Sequence, residues 1–319
     1  MIKSSLLALA LAASTMPVLA APVPALHLEA ATLPLTTQFD LKSAVTGSTY
    51  RIMVSQPVKP PPASGYPVMY VLDADLTFGT AATQTVLASL SDHTSVIIVG
   101  IGYAPVENAG ALRVRDLTTA PPDANIAFVP PLGTTTYGGA DAFRRFITQE
   151  LRPAIAKRVP VNPAEQALMG YSMSGMFVLD ALSKDPDAFR YYVVGSPALG
   201  WSRRQLREDE QRLATQFRAS AEPPRIIITA EAPTCPQPLR SPCPPQEGRD
   251  ASEIAKLYQH LDAIAPLAHR VTLVEFPDTS FIAGLSAAVS RAVAFFIEQQ
   301  TTGARSTTPS DSNSHSKTH

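Results

Sequence analysis

Unbroken apolar runs of strand length recur along the chain and alternate with stretches of helical spacing. Four of these runs occupy residues 66–72, 95–102, 191–195 and 225–230. Strands without apolar–polar alternation are typical of parallel sheets, because both faces of such sheets are covered. The pattern therefore predicts an α/β fold in which a mostly parallel central sheet carries helices on both faces.

Weaker patterns predict the remaining elements. Alternating apolar positions on either side of Gly47 predict two antiparallel strands ahead of the parallel ones. Residues 103–139 are rich in proline, glycine and threonine and lack periodicity, which predicts a long loop. Helices are expected over residues 80–90, 203–217, 251–264 and 285–298, with another beginning at Asp141, and a further strand is expected at 271–276.

The two ends of the chain differ in composition from its middle. Residues 1–20 contain Lys3, an apolar run and a small-residue cleavage site, which is the pattern of a secretory signal peptide. Residues 21–35 form a lead rich in proline and alanine, and residues 301–319 form a polar tail that we expect to be disordered. Residues 36–300 are predicted to form one domain of an exported protein, periplasmic or secreted.

A strand–turn–helix pattern with a serine at its bend spans residues 167–180. An apolar strand runs into Gly-Tyr-Ser-Met-Ser-Gly, in which Ser172 is the first serine, and an apolar-faced helix follows at once. In a G-x-S-x-G elbow, strain lifts the serine hydroxyl clear of the sheet. Here Ser174 replaces the second glycine, and the N–H of Met173 would face the oxyanion of acyl transfer. The alternative is an ordinary turn between a strand and a helix.

Composition and charge narrow the range of functions. The 319 residues are 45% hydrophobic and 17% charged, with a net charge of −1. A chain with so little net charge creates no long-range electrostatic field that would attract nucleic acid, and no basic cluster with interleaved aromatic residues occurs in it. Nucleic-acid binding is therefore not expected. Beyond the signal peptide, no stretch is expected to supply the roughly 20 apolar residues of a membrane span. Neither a nucleotide-binding loop nor a cluster of metal ligands is found, so no cofactor and no metal is predicted.

The two cysteines, Cys235 and Cys243, lie in one proline-rich stretch. In an oxidising compartment such a pair is expected to form a local disulfide. A metal site is the alternative, but it would need further ligands that the neighbouring sequence does not offer.

Several stretches, in the same order, resemble the esterase D family in its siderophore esterase-like branch. They are YRIMVSQP, VMYVLDAD, VGIGY, RVRDLT, GGADAFRRFITQELRPAIAKRVPVNP, LMGYSMSGMFVLDAL and DPDAFRYYVVGSPALGW. The resemblance implies an α/β-hydrolase fold and a serine esterase mechanism. It places Ser172 at the nucleophile and Asp73-Ala74-Asp75 on the loop that supplies the second oxyanion N–H, from Ala74 or Asp75. Where the family commonly has Asp-Gly, this chain has Asp73-Ala74.

The chain departs from the family at the catalytic base. A serine esterase uses a histidine that comes last in chain order, after the final strand. In the family that this chain resembles, the segment after that strand has the form F-P-x-x-x-H. Counting back without a gap from Ser290-Arg291-Ala292 puts Phe281 where that histidine belongs. An intact triad is therefore not predicted. For the histidines present, structural or solvated roles are expected; they are His27, His93, His260, His269, His315 and His319.

Four further residues are candidates for the site, each with an alternative. Glu231 ends a predicted strand where such folds place the acid of the triad; the alternative is a surface carboxylate. Arg113 and Arg115 are candidates to hold an anionic or hydroxyl-rich substrate through forked hydrogen bonds. Their alternative is an Arg115–Asp116 network that pins the long loop. Trp201 is a candidate to line the cleft, and its alternative is core packing.

Two functions follow from these residues. The first is a secreted serine hydrolase that acts on a small-molecule carboxylic ester, with weak activity because the base is missing. The second is a pseudo-esterase that keeps the scaffold to bind a siderophore-like or other oxygen-rich ligand. Loss of turnover in Ser172→Ala would favour the enzyme, whereas ligand binding unaffected by that change would favour the binding protein.

Overall fold

The strands form a single mixed sheet that holds the candidate site at one edge. The computed structural model describes residues 32–90, 95–123, 136–217, 222–232, 251–264, 267 and 269–306. Within these residues the sheet has eight strands in the order β1-β2-β4-β3-β5-β6-β7-β8. They are β1 (Thr36–Lys42), β2 (Thr49–Ser55), β3 (Tyr66–Leu72), β4 (Ile97–Ala104), β5 (Val161–Tyr171), β6 (Tyr191–Gly195), β7 (Arg225–Ala232) and β8 (Val271–Pro277).

Strand direction follows the prediction from the apolar pattern. The first two strands pair antiparallel with each other, and β2 also pairs antiparallel with β4. All other pairs are parallel, from β4–β3 through β7–β8. Because β3 and β5 are parallel neighbours, their carboxyl ends meet at the same edge of the sheet. The mostly parallel α/β sheet is therefore confirmed.

Helices cover both faces of the sheet, as predicted. On one face, α1 and α8 pack against Met69, Val71 and Val193, whereas the other helices pack on the opposite face against Tyr70, Leu72 and their neighbours. Successive residues of β3 point to opposite faces, which explains why every residue of this strand is buried. The helices are α1 (Ala74–Leu90), α2 (Ala109–Leu117), α3 (Ala140–Arg145), α4 (Arg152–Ala156), α5 (Met173–Lys184), α6 (Arg203–Gln216), α7 (Ala251–Asp262) and α8 (Phe281–Ser306).

A π-helical segment, Phe146–Leu151, joins α3 to α4. The expected helix beginning near Asp141 is therefore present, but its middle turn is wider than an α-helical turn. The buried face of the π-helical segment consists of Phe146, Ile147 and Leu151. Apolar spacing alone identified this face without distinguishing the two kinds of turn.

Helix boundaries differ from the sequence prediction in three places. The helix expected from residue 80 begins at Ala74, directly after β3, because Ala74, Phe78 and Ala81 already pack on the sheet. The predicted loop over residues 103–139 contains α2, whose buried face includes the polar Asp116 and so lacks an apolar period. The last helix runs from Phe281 to Ser306, so it continues into the expected polar tail.

The helix α8 also corrects the expectation that no stretch after the signal peptide reaches membrane-spanning length. Residues Phe281–Thr301 are long and apolar enough to cross a membrane by length and composition alone, and 44% of the relevant window is buried. Val289, Ala292 and Phe296 pack on the sheet. A core helix meets the same criterion as a spanning one, and these contacts account for its apolar residues.

Candidate active site

Ser172 stands between β5 and α5 in a conformation that residues other than glycine rarely adopt. Its φ is 62° and its ψ is −118°. Backbone conformations of this kind cost on the order of 1–3 kcal/mol and persist only where the surroundings hold them. The Ser172 N–H donates to the carbonyl of Gly195 at 2.8 Å, and the Ser172 carbonyl accepts from Ala198 at 3.1 Å. The end of β6 therefore holds the bend, and the predicted strand–turn–helix is confirmed.

Glycines allow the close crossing of strand and helix at this bend. A Cβ added to Gly170 would lie 2.2 Å from the carbonyl oxygen of Ser174, and one added to Gly175 would lie 2.5 Å from the carbonyl oxygen of Gly195. Both positions therefore exclude a side chain. Ser174 carries one, fully buried, at the position of the second glycine of the elbow pattern.

The Ser172 side chain is available for chemistry. The residue is 8% exposed, and within the described part of the chain its hydroxyl makes no hydrogen bond. A serine hydroxyl in this state is neither held by a base nor occupied by a structural acceptor. Its assignment as the nucleophile stays a prediction.

Two helix N-termini begin at the same edge of the sheet. Because β3 and β5 are adjacent and parallel, α1 and α5 start beside each other, at Ala74 and Met173. A hydrogen bond from the Leu76 N–H to the Asp73 carbonyl, 2.9 Å long, closes the first turn of α1, so the amides of Ala74 and Asp75 precede it. Helix N-termini carry partial positive charge and unpaired N–H groups. This arrangement is suited to stabilising an oxyanion, which is the predicted role of these amides.

Asp73 links the two helix starts through its side chain. Its φ is 54°, and its carboxylate accepts from Arg113 Nε at 2.6 Å and from Arg113 Nη2 at 2.9 Å. The Ser174 hydroxyl donates to Asp73 Oδ2 at 2.8 Å. Burial opposes the charge of the Arg113 guanidinium, but the attraction and hydrogen bonds of Asp73 outweigh it and raise the pKa of Arg113. The predicted substrate-binding arginine is therefore directed mainly towards Asp73.

Arg115 lies in a separate network. Its Nε donates to Asp116 Oδ1 at 2.7 Å and its Nη2 donates to Ser48 at 3.0 Å. The hydroxyl of the fully buried Tyr50 donates to Asp116 Oδ2 at 2.8 Å. Burial raises the pKa of Asp116, although the attraction of Arg115 and the bond from Tyr50 oppose this rise. These contacts support the pinning network rather than substrate binding for Arg115.

Trp201 is buried rather than cleft-lining. It is 2% exposed, and its indole N–H donates to the carbonyl of Ala120 at 3.1 Å. Its ring centroid is 6.2 Å from that of Tyr137. The structure therefore supports core packing, the alternative for this residue.

Glu231 lies at the carboxyl end of β7 and is 9% exposed, so the alternative of a surface carboxylate is wrong. Its Oε1 accepts from the hydroxyl of Tyr171 at 2.8 Å, and its Oε2 accepts from the hydroxyl of Ser196. A Cβ added to Gly284 would lie 2.2 Å from Oε1, because the first turn of α8 packs directly on the carboxylate. Both oxygens of the candidate acid are therefore occupied by hydroxyl groups.

Phe281 begins α8 beside these groups. Its ring centroid is 5.0 Å from that of Tyr171, and the Tyr171 hydroxyl is 2.8 Å from the Phe281 carbonyl oxygen. Tyr171 precedes Ser172 in sequence, so the residue at the expected histidine position lies in the neighbourhood of the elbow and of Glu231. Neither a phenyl ring nor a backbone carbonyl accepts a proton at neutral pH. Sequence reasoning did not identify Tyr171 or Ser196 in this cluster, although their places, at the end of β5 and directly after β6, were a signal.

The described histidines lie away from this edge. His269 precedes β8, at the amino end of a strand that runs parallel to its neighbours. His260 is near the end of α7, exposed, with Nδ1 3.0 Å from Glu210 Oε1. Both agree with the expected structural or solvated roles. The predicted signal peptide, the predicted disulfide and the remaining histidines lie outside the described residues. These histidines are His27, His93, His315 and His319, and the cysteines of the predicted disulfide are Cys235 and Cys243. In the described ranges no cluster of metal ligands occurs.

Relatives of known sequence identify the family of the chain. Residues 43–262 match the family described as Putative esterase. The ferri-bacillibactin esterase BesA of Bacillus subtilis is 31% identical over 269 residues, which cover 83% of this chain and 90% of that protein. The siderophore triacetylfusarinine C esterase of Aspergillus fumigatus is 29% identical over 284 residues, covering 83% of this chain and 94% of that protein.

Solved structures are similar over the same extent. The BES protein from Bacillus cereus has a TM-score of 0.71 at 24% identity, covering 85% of this chain and 99% of that one. The siderophore hydrolase EstB from Aspergillus nidulans has a TM-score of 0.65 at 24% identity, covering 86% and 98%. At this identity the structural similarity is evidence for the fold alone. The family membership rests on the sequence matches. The chain therefore belongs to the putative esterase family, in its siderophore esterase-like branch, and has the α/β-hydrolase fold.

Proposed function

We propose that the protein hydrolyses carboxylic esters with Ser172 as its nucleophile. The observation that carries the proposal is the strained backbone of Ser172, at φ 62°, between a buried strand and a helix N-terminus. Strain of this size at a serine that makes no hydrogen bond with its side chain to a described residue favours a functional role, and presenting a hydroxyl to a carbonyl group is such a role. The start of α1 beside it supplies amides for the oxyanion.

The reaction has two displacement steps. Ser172 Oγ bonds to the carbonyl carbon, its proton passes to a solvent base, and the negative oxygen faces the amides of Met173 and Ala74 or Asp75. The carbon–oxygen bond of the ester then breaks, and the leaving alkoxide takes a proton from water. Water attacks the acyl carbon in the second step, which releases the carboxylic acid and restores the Ser172 hydroxyl.

Slow turnover follows from this proton path. Removing one member of a triad leaves roughly 10³–10⁴-fold catalysis over water from the oxyanion hole and substrate binding. Glu231, the candidate acid, has no described imidazole to orient, since its oxygens accept from Tyr171 and Ser196. We therefore expect rates well below those of a complete serine esterase.

The proposed substrate is a small siderophore-class ester, rich in oxygen atoms. This choice rests on the relatives, which are named as esterases of ferri-bacillibactin and of triacetylfusarinine C. The pattern of residues 1–20 supports export to the periplasm or beyond, where a siderophore ester would be met outside the cytoplasm. Mass spectrometry of the N-terminus of the mature protein tests the export step.

A binding protein without turnover is the second candidate, and one observation favours it. Phe281 stands where the family's histidine is expected, and its ring packs beside that of Tyr171, with the two centroids 5.0 Å apart. A scaffold that has lost its base in this way retains the elbow and the two helix starts but not the proton transfer. Such a protein would bind the same oxygen-rich ligand and release it unchanged.

Hydrolysis of short p-nitrophenyl esters and labelling by a fluorophosphonate test the first candidate. Ser172→Ala should abolish both signals, whereas Thr215→Ala, which removes an exposed hydroxyl on α6, should leave them unchanged. Turnover that persists in Ser172→Ala would refute Ser172 as the nucleophile.

The second candidate is tested with Phe281→His on the same esters. If the native protein is inert and this variant gains activity that rises through about pH 6.5, the natural chain is a disarmed esterase. If the native protein turns over and the variant gains nothing, a base other than the residue at 281 serves the reaction, and the binding-protein candidate fails.

A further inference from the structure

Asp73 is the acceptor at the centre of a three-way contact between α1, α2 and α5. Its side chain is 9% exposed and forms a forked ion pair with Arg113, whose side chain is 28% exposed. Its second oxygen also accepts from Ser174, in the first turn of α5. The carboxylate therefore joins the turn that starts α1 to the turn that starts α5.

The Ser174 hydroxyl has a defined hydrogen-bond arrangement. The Tyr171 N–H donates to Ser174 Oγ at 2.8 Å, so the hydroxyl is already an acceptor there. Its single hydrogen has two candidate acceptors at 2.8 Å, Asp73 Oδ2 and the Tyr171 carbonyl. A hydrogen bond to an ionised carboxylate is roughly twice as strong as one to a neutral acceptor, so the hydrogen points to Asp73.

We infer that Ser174 is a positioning residue that fixes the oxyanion hole by latching the α1 start to the nucleophile elbow. The inference rests on the proposed esterase function. The amide of Met173 adjoins Ser174, and the amides of Ala74 and Asp75 follow Asp73 directly. One hydrogen bond thus sets the distance between the two halves of the hole. A glycine at position 174, as in the G-x-S-x-G pattern, has no side chain with which to form it.

Arg113 makes this latch compatible with catalysis. An unpaired carboxylate next to the oxyanion would oppose the developing negative charge, and the opposition is stronger in a partly buried site than in water. The forked bonds from Arg113 to both carboxylate oxygens offset that charge. Arg113 Nη1 also lies 3.8 Å from the sulfur of Met173, so the same guanidinium contacts the residue that donates the other oxyanion N–H.

The test compares two serines of the same helix. Ser174→Ala removes the latch but keeps the Cβ, and Ser183→Ala removes an equally buried hydroxyl that donates to Asp209, away from the elbow. Both changes lower stability, so the melting temperature does not separate them. The rate of fluorophosphonate labelling of Ser172 and hydrogen exchange of the peptide over residues 73–78 do separate them.

With Ser174→Ala we expect labelling of Ser172 to slow about tenfold, the loss of one charge-assisted hydrogen bond, and exchange in residues 73–78 to accelerate. Ser183→Ala should leave both unchanged. Unchanged exchange in Ser174→Ala would overturn the latch, whatever the labelling rate. Accelerated exchange with labelling at the native rate would overturn its role in positioning. If the native protein is not labelled at all, the proposed function fails and the exchange result alone decides whether the latch exists.

Discussion

Replacing Ser172 with glycine should make the protein more stable while removing its nucleophile. At φ 62° and ψ −118°, a side chain at this position is strained by on the order of 1–3 kcal/mol, and glycine adopts the same backbone without that cost. Glycine also raises the conformational entropy of the unfolded chain, which lowers the free energy of unfolding by about 0.4–1 kcal/mol. The net gain is therefore about 1 kcal/mol, or a rise of roughly 2–4 °C in melting temperature.

Ser172→Ala is the matched control for this experiment. It removes the same hydroxyl, which has no hydrogen bond to a described residue, but keeps the Cβ that creates the strain. Equilibrium urea unfolding of the native protein and both variants gives the comparison directly, since midpoint shifts at constant slope report stability. If the glycine variant is no more stable than the alanine variant, the bend is not strained and the argument from backbone conformation to function loses its basis.

Two further predictions concern buried carboxylates. Burial raises the pKa of Asp209 from 3.8 to about 6, with Asp180 adding to the rise and Arg212 opposing it. Protonation therefore favours the folded state, and about 3 kcal/mol of stability should be lost as the pH rises from about 4 to about 7. Asp209→Asn should flatten this pH dependence when stability is measured by urea unfolding at several pH values. A pH dependence that is unchanged in the variant would contradict the raised pKa of Asp209. Gly284→Ala should displace the carboxylate of Glu231, because the new Cβ would lie 2.2 Å from its Oε1. We expect the free energy of unfolding to fall by about 1–3 kcal/mol in the same urea assay. A native-like unfolding midpoint would show that the first turn of α8 moves freely.

Local patterns determined the fold class and the elbow. Buried parallel strands need apolar residues on both faces, so their runs stand out in the sequence without any partner being known. The elbow pattern likewise lies in consecutive residues, 170–175, whereas the hydrogen bonds that hold its strained serine come from Gly195 and Ala198. The position of Phe281 followed from counting along the family's final segment, and the structure places it beside Tyr171.

Boundaries and partners needed the tertiary structure. The helix α2 lay hidden in a stretch without apolar period because its buried face is built partly from the ion-paired Asp116. Likewise, α8 continues past the apolar spacing that predicted it. For α2 the burial of Asp116 and its ion pair with Arg115 stabilise the helix, and single-residue preferences are too weak to reveal such contacts.

The roles of the polar residues around Ser172 were decided by contacts between distant parts of the chain. Asp73 meets Ser174 across 101 residues and Arg113 across 40, and Tyr171 meets Glu231 across 60. A sequence names the donors and acceptors, but their pairing depends on which strand ends the sheet brings together. For this protein the sequence by itself determined an α/β sheet with a serine elbow, and it predicted Phe281 at the place of the family's histidine. Only the tertiary structure decided that Arg113 serves Asp73, that Glu231 is buried among hydroxyl groups, and that one hydrogen bond connects the two helix starts.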